Sequence, residues 1–388
     1  MINLNDYFDP VSIEKPDYDF ISGPARFSHN IFIHTENNPI QDPEKFRIAI
    51  LGVPEERNSP NIGCEKGPEA IRHQLYMLSR VPGKLKIIDL GNMKKGETFQ
   101  DTLIGLSEIL SFLIKSNIFP VIIGGNSSLI GSIDNCFTKL KIHYSLASID
   151  SRIDFQPGKN EIDSFSYLNR IIYNPGNYLN HFSNIGYQIY LNDFQAINRL
   201  EKRKADLIRL GDARASIHLT EPLLRDTDVA IIDISCVRQS DAPGTINTSP
   251  NGFYGEEICL IARYAGISDS MKIFGLFEIN PLLDRNSQTS SLAAQILWYF
   301  LEGFGQKLDE KKLLSAGETG HFTRYHVKVS GLDEDLVFIK SNSTERWWFE
   351  MKSQNNKTKY VSCSYDDYLT ANRNEVPVRW LRAFEKIS

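Results

Sequence analysis

The chain has 388 residues, of which 41% are hydrophobic, 23% charged and 11% aromatic. That length exceeds one average domain of roughly 100–200 residues, and the apolar share suffices for a large core, which excludes a disordered or peptide-like protein. Lys and Arg number 43 against 48 Asp and Glu, a formal net charge of −5. No excess of positive charge is present to neutralise a phosphate backbone, so a nucleic-acid partner is not expected. Five cysteines lie far apart with no CxxC pair; they predict neither a disulfide framework nor a zinc knuckle and fit a reducing cytoplasm. Apolar runs fall far short of the roughly 20 residues a membrane helix needs, so no membrane span is expected.

Residues 1–45 carry Pro10, Pro16, Pro24, Pro39 and Pro43 with no sustained period, and read as an N-terminal arm lying on the main domain. From Phe46 short β-branched runs alternate with longer amphipathic segments; 46–53, 85–90, 120–123, 145–149, 207–210, 228–234 and 272–277 predict parallel strands. Phe99, Leu103, Leu106, Leu110 and Leu113 fall at helical spacing on one stripe, and a further helix is expected over 288–303. This alternation over 46–304 predicts a three-layer α/β/α sandwich with a mainly parallel sheet, whose ligands bind beyond the carboxyl ends of the strands. Residues 305–320, where Lys307, Asp309, Glu310, Lys311 and Lys312 crowd together, read as a linker. Over 321–388 the period shortens: strands at 323–329, 336–340 and 346–351, then helices at 365–372 and 378–386, predict a small C-terminal α+β module. On a strand Trp347 and Trp348 face opposite sides. One of them enters the module's core, and the other meets the main domain, a second subunit or a partner.

The loops that follow the strands hold the side chains with chemistry. Gly63, Gly67, Pro68, Ala70, Ile71 and Arg72 make a glycine turn into a helix. Gly124, Gly125, Asn126, Ser127 and Ser128 follow the third run; Asp150, Ser151, Arg152, Ile153 and Asp154 follow the fourth. Asp233, Ile234 and Ser235 close the sixth run, with Ala242, Pro243, Gly244 and Thr245 beyond; Glu278, Asn280, Pro281, Asp284 and Thr289 follow the last. In this order the pieces resemble the ureohydrolase superfamily of arginase, agmatinase and formimidoylglutamase, with its patterns GARxGPxAIR, GGDHS, DAHxD, DxD, APGT and ExNP. The likeness covers residues 46–304. Asn184, Ile185, Gly186, Tyr187 and Gln188, with no GNxHG loop after Asp154, lean toward the formimidoylglutamase branch. The resemblance implies an arginase-like fold, a homo-oligomer, and hydrolysis of linear amidine C–N bonds by two manganese ions held by four carboxylates and two imidazoles.

Carried over position by position, the resemblance makes Asp150, Asp154 and Asp233 metal ligands. Ser127, Arg152 and Ser235 stand where it puts a histidine, a histidine and an aspartate, and Asn126 stands where it puts another aspartate. One of the two implied sites keeps three carboxylates and gains the Ser127 hydroxyl, so at most one divalent cation, Mn or Mg, is expected there. The second site loses its own ligands. The Arg152 guanidinium is expected to replace that metal by bridging Asp150 and Asp233 in bidentate fashion, with Glu278, which the resemblance makes the reader of the substrate's cationic end, as a further partner. The family's nucleophile is a hydroxide bridging two ions. Its loss leads to the expectation of a degenerate ureohydrolase, a pseudoenzyme that acts as a binding or assembly subunit and recruits a protein or a second copy through the C-terminal module. The alternative is an active formimidoylglutamase-like hydrolase of a small amidine, using one metal or an altered ligand set; no catalytic residue is assigned, and Glu278, Ser127 and Asn126 mark the family-equivalent pocket.

Plainer roles compete at each position. Asp150, Asp154 and Asp233 also read as buried hydrogen-bond acceptors at strand ends. His143 and His181 fall at no ligand position, Gly124 and Gly125 read as a structural turn, and Cys236 has no base partner to make it reactive. Trp347, Trp348, Trp380, Arg346 and Arg379 read either as the core of a small module or as an interface surface.

Overall fold

Why the β-branched runs become buried strands is visible in the computed structural model, which describes residues 2–12, 20–21, 23–159, 163–174, 176, 178–353 and 357–387. Pro16 lies outside the described residues. The main sheet comprises β1 (Phe8–Asp9), β2 (Phe32–Ile33), β3 (Ile48–Val53), β4 (Ile87–Met93), β5 (Phe119–Gly124), β6 (Tyr144–Ile149), β7 (Leu179–Tyr187), β8 (Asp206–Arg209), β9 (Val229–Asp233) and β10 (Ile273–Phe277). Their order is β1-β4-β3-β5-β10-β9-β6-β7-β8, with β2 also on β4. Only β1 pairs antiparallel. Every residue of β3, β5, β9 and β10 is buried, as a sheet covered on both faces requires.

Alternate residues of one strand feed opposite layers. Ile48 and Ile50 join the core beneath the helices Gly67–Leu75, Gly255–Gly266 and Gln288–Gly305. Ala49, Leu51 and Val53 join the core beneath Phe99–Lys115, Ile130–Leu140 and Tyr167–Ile172. Leu103, Leu106, Leu110 and Leu113 are buried on the predicted stripe, and Thr98 and Asp101 close that helix's N-terminus with a capping box. The expected three-layer α/β/α sandwich is present.

Three strands of the main sheet were not legible. β1 and β2 are two residues each, too short for a period, yet they extend the sheet at β4 and bury Leu4 and Phe8 in the core; the arm is part of the sheet. β7 carries buried Ser183 and Asn184 amid its apolar residues, which hides it from an apolar-run criterion. The stretch read as a linker also holds a helix, Glu310–Ser315, which buries Glu310 and Leu314 and pairs Lys311 with Asp226 at 3.0 Å.

The C-terminal module is an antiparallel meander of β11 (Phe322–Val327), β12 (Leu336–Ser341), β13 (Trp347–Lys352) and β14 (Thr358–Cys363), followed by the helices Tyr365–Asn372 and Val378–Ile387. β14 is the strand that the sequence concealed, because Thr358, Lys359 and Tyr360 interrupt its apolar pattern. Trp347 stacks on Tyr368 in the module's core at 4.7 Å. Trp348 faces the other way and meets the main domain, where the Arg225 guanidinium lies 4.6 Å from its ring. Buried Arg225 also donates to the carbonyls of Trp347 and Cys363, both at 3.1 Å, and pairs with Glu221 at 3.0 Å. Arg346 pairs with Glu221 and Glu310 at 3.4 Å. Of the two readings of this aromatic and arginine group, core or interface surface, Arg346, Trp347 and Trp348 take the inward one. Replacing Arg225 with methionine strands two buried carbonyls and should cost about 2 kcal/mol; faster proteolytic cleavage within 305–320 at native pH is the expected readout. No helix among the described residues is long and apolar enough to cross a membrane. All five cysteines are free and buried.

Candidate metal centre

Because β5, β10, β9 and β6 are successive neighbours, the loops at their carboxyl ends set Asn126, Glu278, Asp233 and Asp150 side by side. Glycine is required at the first of these ends. A Cβ on Gly125 would overlap the Glu55 carbonyl, and one on Gly124 would enter the Phe277 ring. Asp150 accepts from Arg152 N–H at 2.9 Å, and Asp233 accepts from Ser235 N–H at 2.8 Å, so the same two-residue turn holds a carboxylate at both strand ends. Asp154 sits at φ +21°, a conformation uncommon for a residue with a side chain.

Asp150, Asp154 and Asp233 are all buried, and one carboxylate oxygen of each lies within 4.8 Å of the others. Burial pushes all three carboxyls above the ordinary range; the charge of Asp233 pushes Asp150 and Asp154 up further. Glu278 is pushed up to about 7, first by burial and then by Asp233. Among the described residues none of these four acids has an ion-pair partner within 4.0 Å. A purely structural role accounts for the turns at Asp150 and Asp233, whereas the Asp154 carboxylate takes no backbone N–H among the described residues. Converging, repelling oxygens without an imidazole are a donor set of the kind that suits a hard divalent cation such as Mn or Mg.

The exchanged positions take up local hydrogen bonds. Ser127 donates its N–H to Glu278 Oε1 at 2.8 Å, and its Oγ lies 3.1 Å from the same oxygen and 3.0 Å from the Ser164 carbonyl. The hydroxyl expected to join the metal ligands is thus held on Glu278 and Ser164. Ser235 serves Asp233 with both its N–H and its hydroxyl. Asn126 donates its amide to the carbonyls of Glu55 and Arg57 at 2.9 and 3.0 Å and accepts from Ser128 N–H at 3.0 Å. A carboxylate there would face two carbonyls. Asn126→Asp, which restores the residue of the pattern, is expected to lower stability by about 1–3 kcal/mol in chemical denaturation.

The bridge expected from Arg152 is not formed. Its guanidinium makes no ion pair with Asp150, Asp154 or Asp233 among the described residues; its Cζ lies 5.4 Å from the Phe165 ring centroid, and its carbonyl is held by Asn184 Nδ2 at 2.9 Å. Two forces direct it outward: burying an arginine deep enough to span two aspartates costs desolvation, and an aromatic face is available beside it. Its charge still reaches Asp154 and Asp233, whose carboxyls it draws down against burial.

Asn61 was not singled out by its sequence position. It is fully buried, donates to the Glu278 carbonyl and to Glu278 Oε2 at 3.0 and 2.9 Å, and accepts from Asn280 Nδ2 at 2.8 Å. Glu278 is fixed by it at φ +68°. Asp284 caps the helix Gln288–Gly305 through Thr289 N–H and Ser290 N–H at 2.8 Å, and Thr289 Oγ1 holds Gly244 N–H at 2.7 Å, which ties the loop around Ala242, Pro243 and Thr245 to that helix. His143 and His181 sit at the starts of β6 and β7, the opposite end of the sheet; His181 pairs with Asp206 at 2.7 Å. The Cys236 thiol is pushed well up by burial and by Asp150 and Asp233, which suits an inert side chain.

A family model described as the arginase family matches residues 46–302. The formimidoylglutamase of Staphylococcus haemolyticus is 24% identical over 302 residues, covering 72% of this chain and 94% of that protein. That of Ralstonia nicotianae is 24% identical over 269 residues, covering 64% and 81%. A crystal structure of Trypanosoma cruzi formiminoglutamase with Mn2+ superposes with a TM-score of 0.64 at 20% identity, covering 69% of this chain and 97% of that one. The formimidoylglutamase of Bacillus subtilis gives a TM-score of 0.66 at 19% identity, covering 76% and 97%.

Proposed function

Since the chain belongs to the arginase family, we propose that it keeps one cation site of that family, on Asp150, Asp154 and Asp233, and acts as a binding or assembly subunit without dinuclear-manganese hydrolysis. The observation that carries this reading is the composition of the centre: three carboxylates within 4.8 Å of one another, and no imidazole among them. A divalent cation bound there would supply Lewis acidity and the positive charge that the three carboxylates lack. The chain's own residues do the rest: Ser235 holds Asp233, the Arg152 N–H holds Asp150, and Asn61 with Ser127 holds Glu278 beside them.

One observation favours a second reading, hydrolysis of a linear amidine C–N bond with an altered ligand set. Glu278, pushed up to about 7, is poised to take or give a proton near neutrality. Metal content by mass spectrometry on protein purified without chelator, with formamide release from formimidoylglutamate and urea release from arginine, separates the two. At most one ion per chain and no turnover is the expected result. Two manganese ions per chain with turnover would overturn it.

A further inference from the structure

Arg152 carries a permanent charge, yet its guanidinium makes no ion pair and no hydrogen bond among the described residues, and its Nε is buried without a partner. The Phe165 ring, 5.4 Å from Cζ, steadies it. With Asp154, Phe155, Gln156, Phe165 and Asn192 it lines an open cavity of about 360 Å³ beside the metal centre, within the size range of small-molecule sites. Among the described residues it is the one cationic side chain in that lining. Asn192 offers the cavity no free amide, since it donates to the Ser151 and Gln188 carbonyls and accepts from Ile153 N–H.

We propose that this cavity binds a small molecule through a carboxylate group, which Arg152 takes on its Nη1 and Nη2 edge, with the remainder of the ligand directed toward Asp154. The planar fork of a guanidinium matches a carboxylate in bidentate fashion. A monoanion suits the lining better than a phosphate dianion, because Asp154 and Asp193 also face the cavity and would repel a second charge. The inference deepens the single-cation reading and rests on it for the end of the ligand that lies nearest Asp154. The carboxylate contact itself needs only Arg152.

Titration calorimetry on the full chain, with and without Mn2+, tests it; L-glutamate and N-formimidoyl-L-glutamate are the carboxylate probes, and agmatine is the amidine without a carboxylate. Arg152→Met should weaken both carboxylate probes by about 10- to 100-fold, the scale of a charge-assisted hydrogen-bonded contact. Arg152→Lys should fall between, and agmatine should not respond to either change. Equal affinity for the carboxylate probes in a folded Arg152→Met chain, or no probe binding to a chain that does bind Mn2+, would overturn the proposal. Failure to bind Mn2+ alongside Arg152-dependent carboxylate binding would remove the cation reading and leave the anchor standing.

Discussion

Arg72→Met is expected to cost about 3–5 kcal/mol, the scale for leaving a buried charge without its partner. Arg72 is 2% exposed and Asp89 is fully buried. The guanidinium donates Nε to Asp89 Oδ2 at 2.9 Å, Nη2 to Asp89 Oδ1 at 3.0 Å and to the Gly91 carbonyl at 2.8 Å, and Nη1 to Asn92 Oδ1 at 2.5 Å. Tyr76 adds a hydroxyl to Asp89 at 2.8 Å. This set pins the helix Gly67–Leu75 to β4 and fixes the glycine turn whose other end carries Asn61 to Glu278. Urea denaturation of Arg72→Met against the parent checks the size. Arg72→Lys should recover only part of the loss, because an ammonium cannot reproduce the bidentate fork. Arg72→Met combined with Asp89→Leu should recover part of it, since no unpaired charge then remains while the Tyr76 hydroxyl and the Gly91 N–H lose their acceptor. A single variant within 1 kcal/mol of the parent would show that water reaches Asp89.

The case of Arg72 also shows where reading from sequence stopped. Its motif was recognisable, but its partner Asp89 stands in the middle of an apolar run that marks β4, and no local rule links the two. The strand ends were legible for the opposite reason: stretches such as 229–232 and 273–277 carry no polar side chain, and the first polar residue after each one, Asp233 or Glu278, must lie at the sheet's edge. Asp150 and Asp233 stand out in this way, and the family resemblance joined Asp154 to them as metal ligands. What Arg152 does was not legible, because its position depends on Phe165 and on Asn184, which reach it through tertiary packing. The arm and β7 were missed because a two-residue strand has no period and because buried Ser183 and Asn184 interrupt the apolar pattern.

Asp154→Asn should act in opposite directions on the metal-free and the metal-loaded chain. In the metal-free chain the three aspartates repel one another, and among the described residues the Asp154 carboxylate takes no backbone N–H whose loss would offset the gain from neutralising it. Its φ of +21° is one that asparagine tolerates well. The metal-free variant is therefore expected to be more stable than the parent by about 0.5–2 kcal/mol at neutral pH. The sign of its pH dependence follows from the raised carboxyl of Asp154. A carboxyl whose folded pKa lies above its unfolded value contributes stability below the unfolded value and loses that contribution as pH rises through the folded one. The advantage of Asp154→Asn should thus vanish near pH 4, where unfolded carboxylates titrate, and grow toward neutrality. With Mn2+ the order reverses. A cation at 100 times its dissociation constant stabilises the parent by about 2.7 kcal/mol, and the variant, left with two of its three carboxylate ligands, should show little of that gain. Thermal unfolding of both chains at pH 4 and pH 7.5, with EDTA or with Mn2+, reads all four quantities. If the metal-free variant is less stable than the parent at neutral pH, Asp154 is a structural acceptor, and the three carboxylates are not held against their own repulsion.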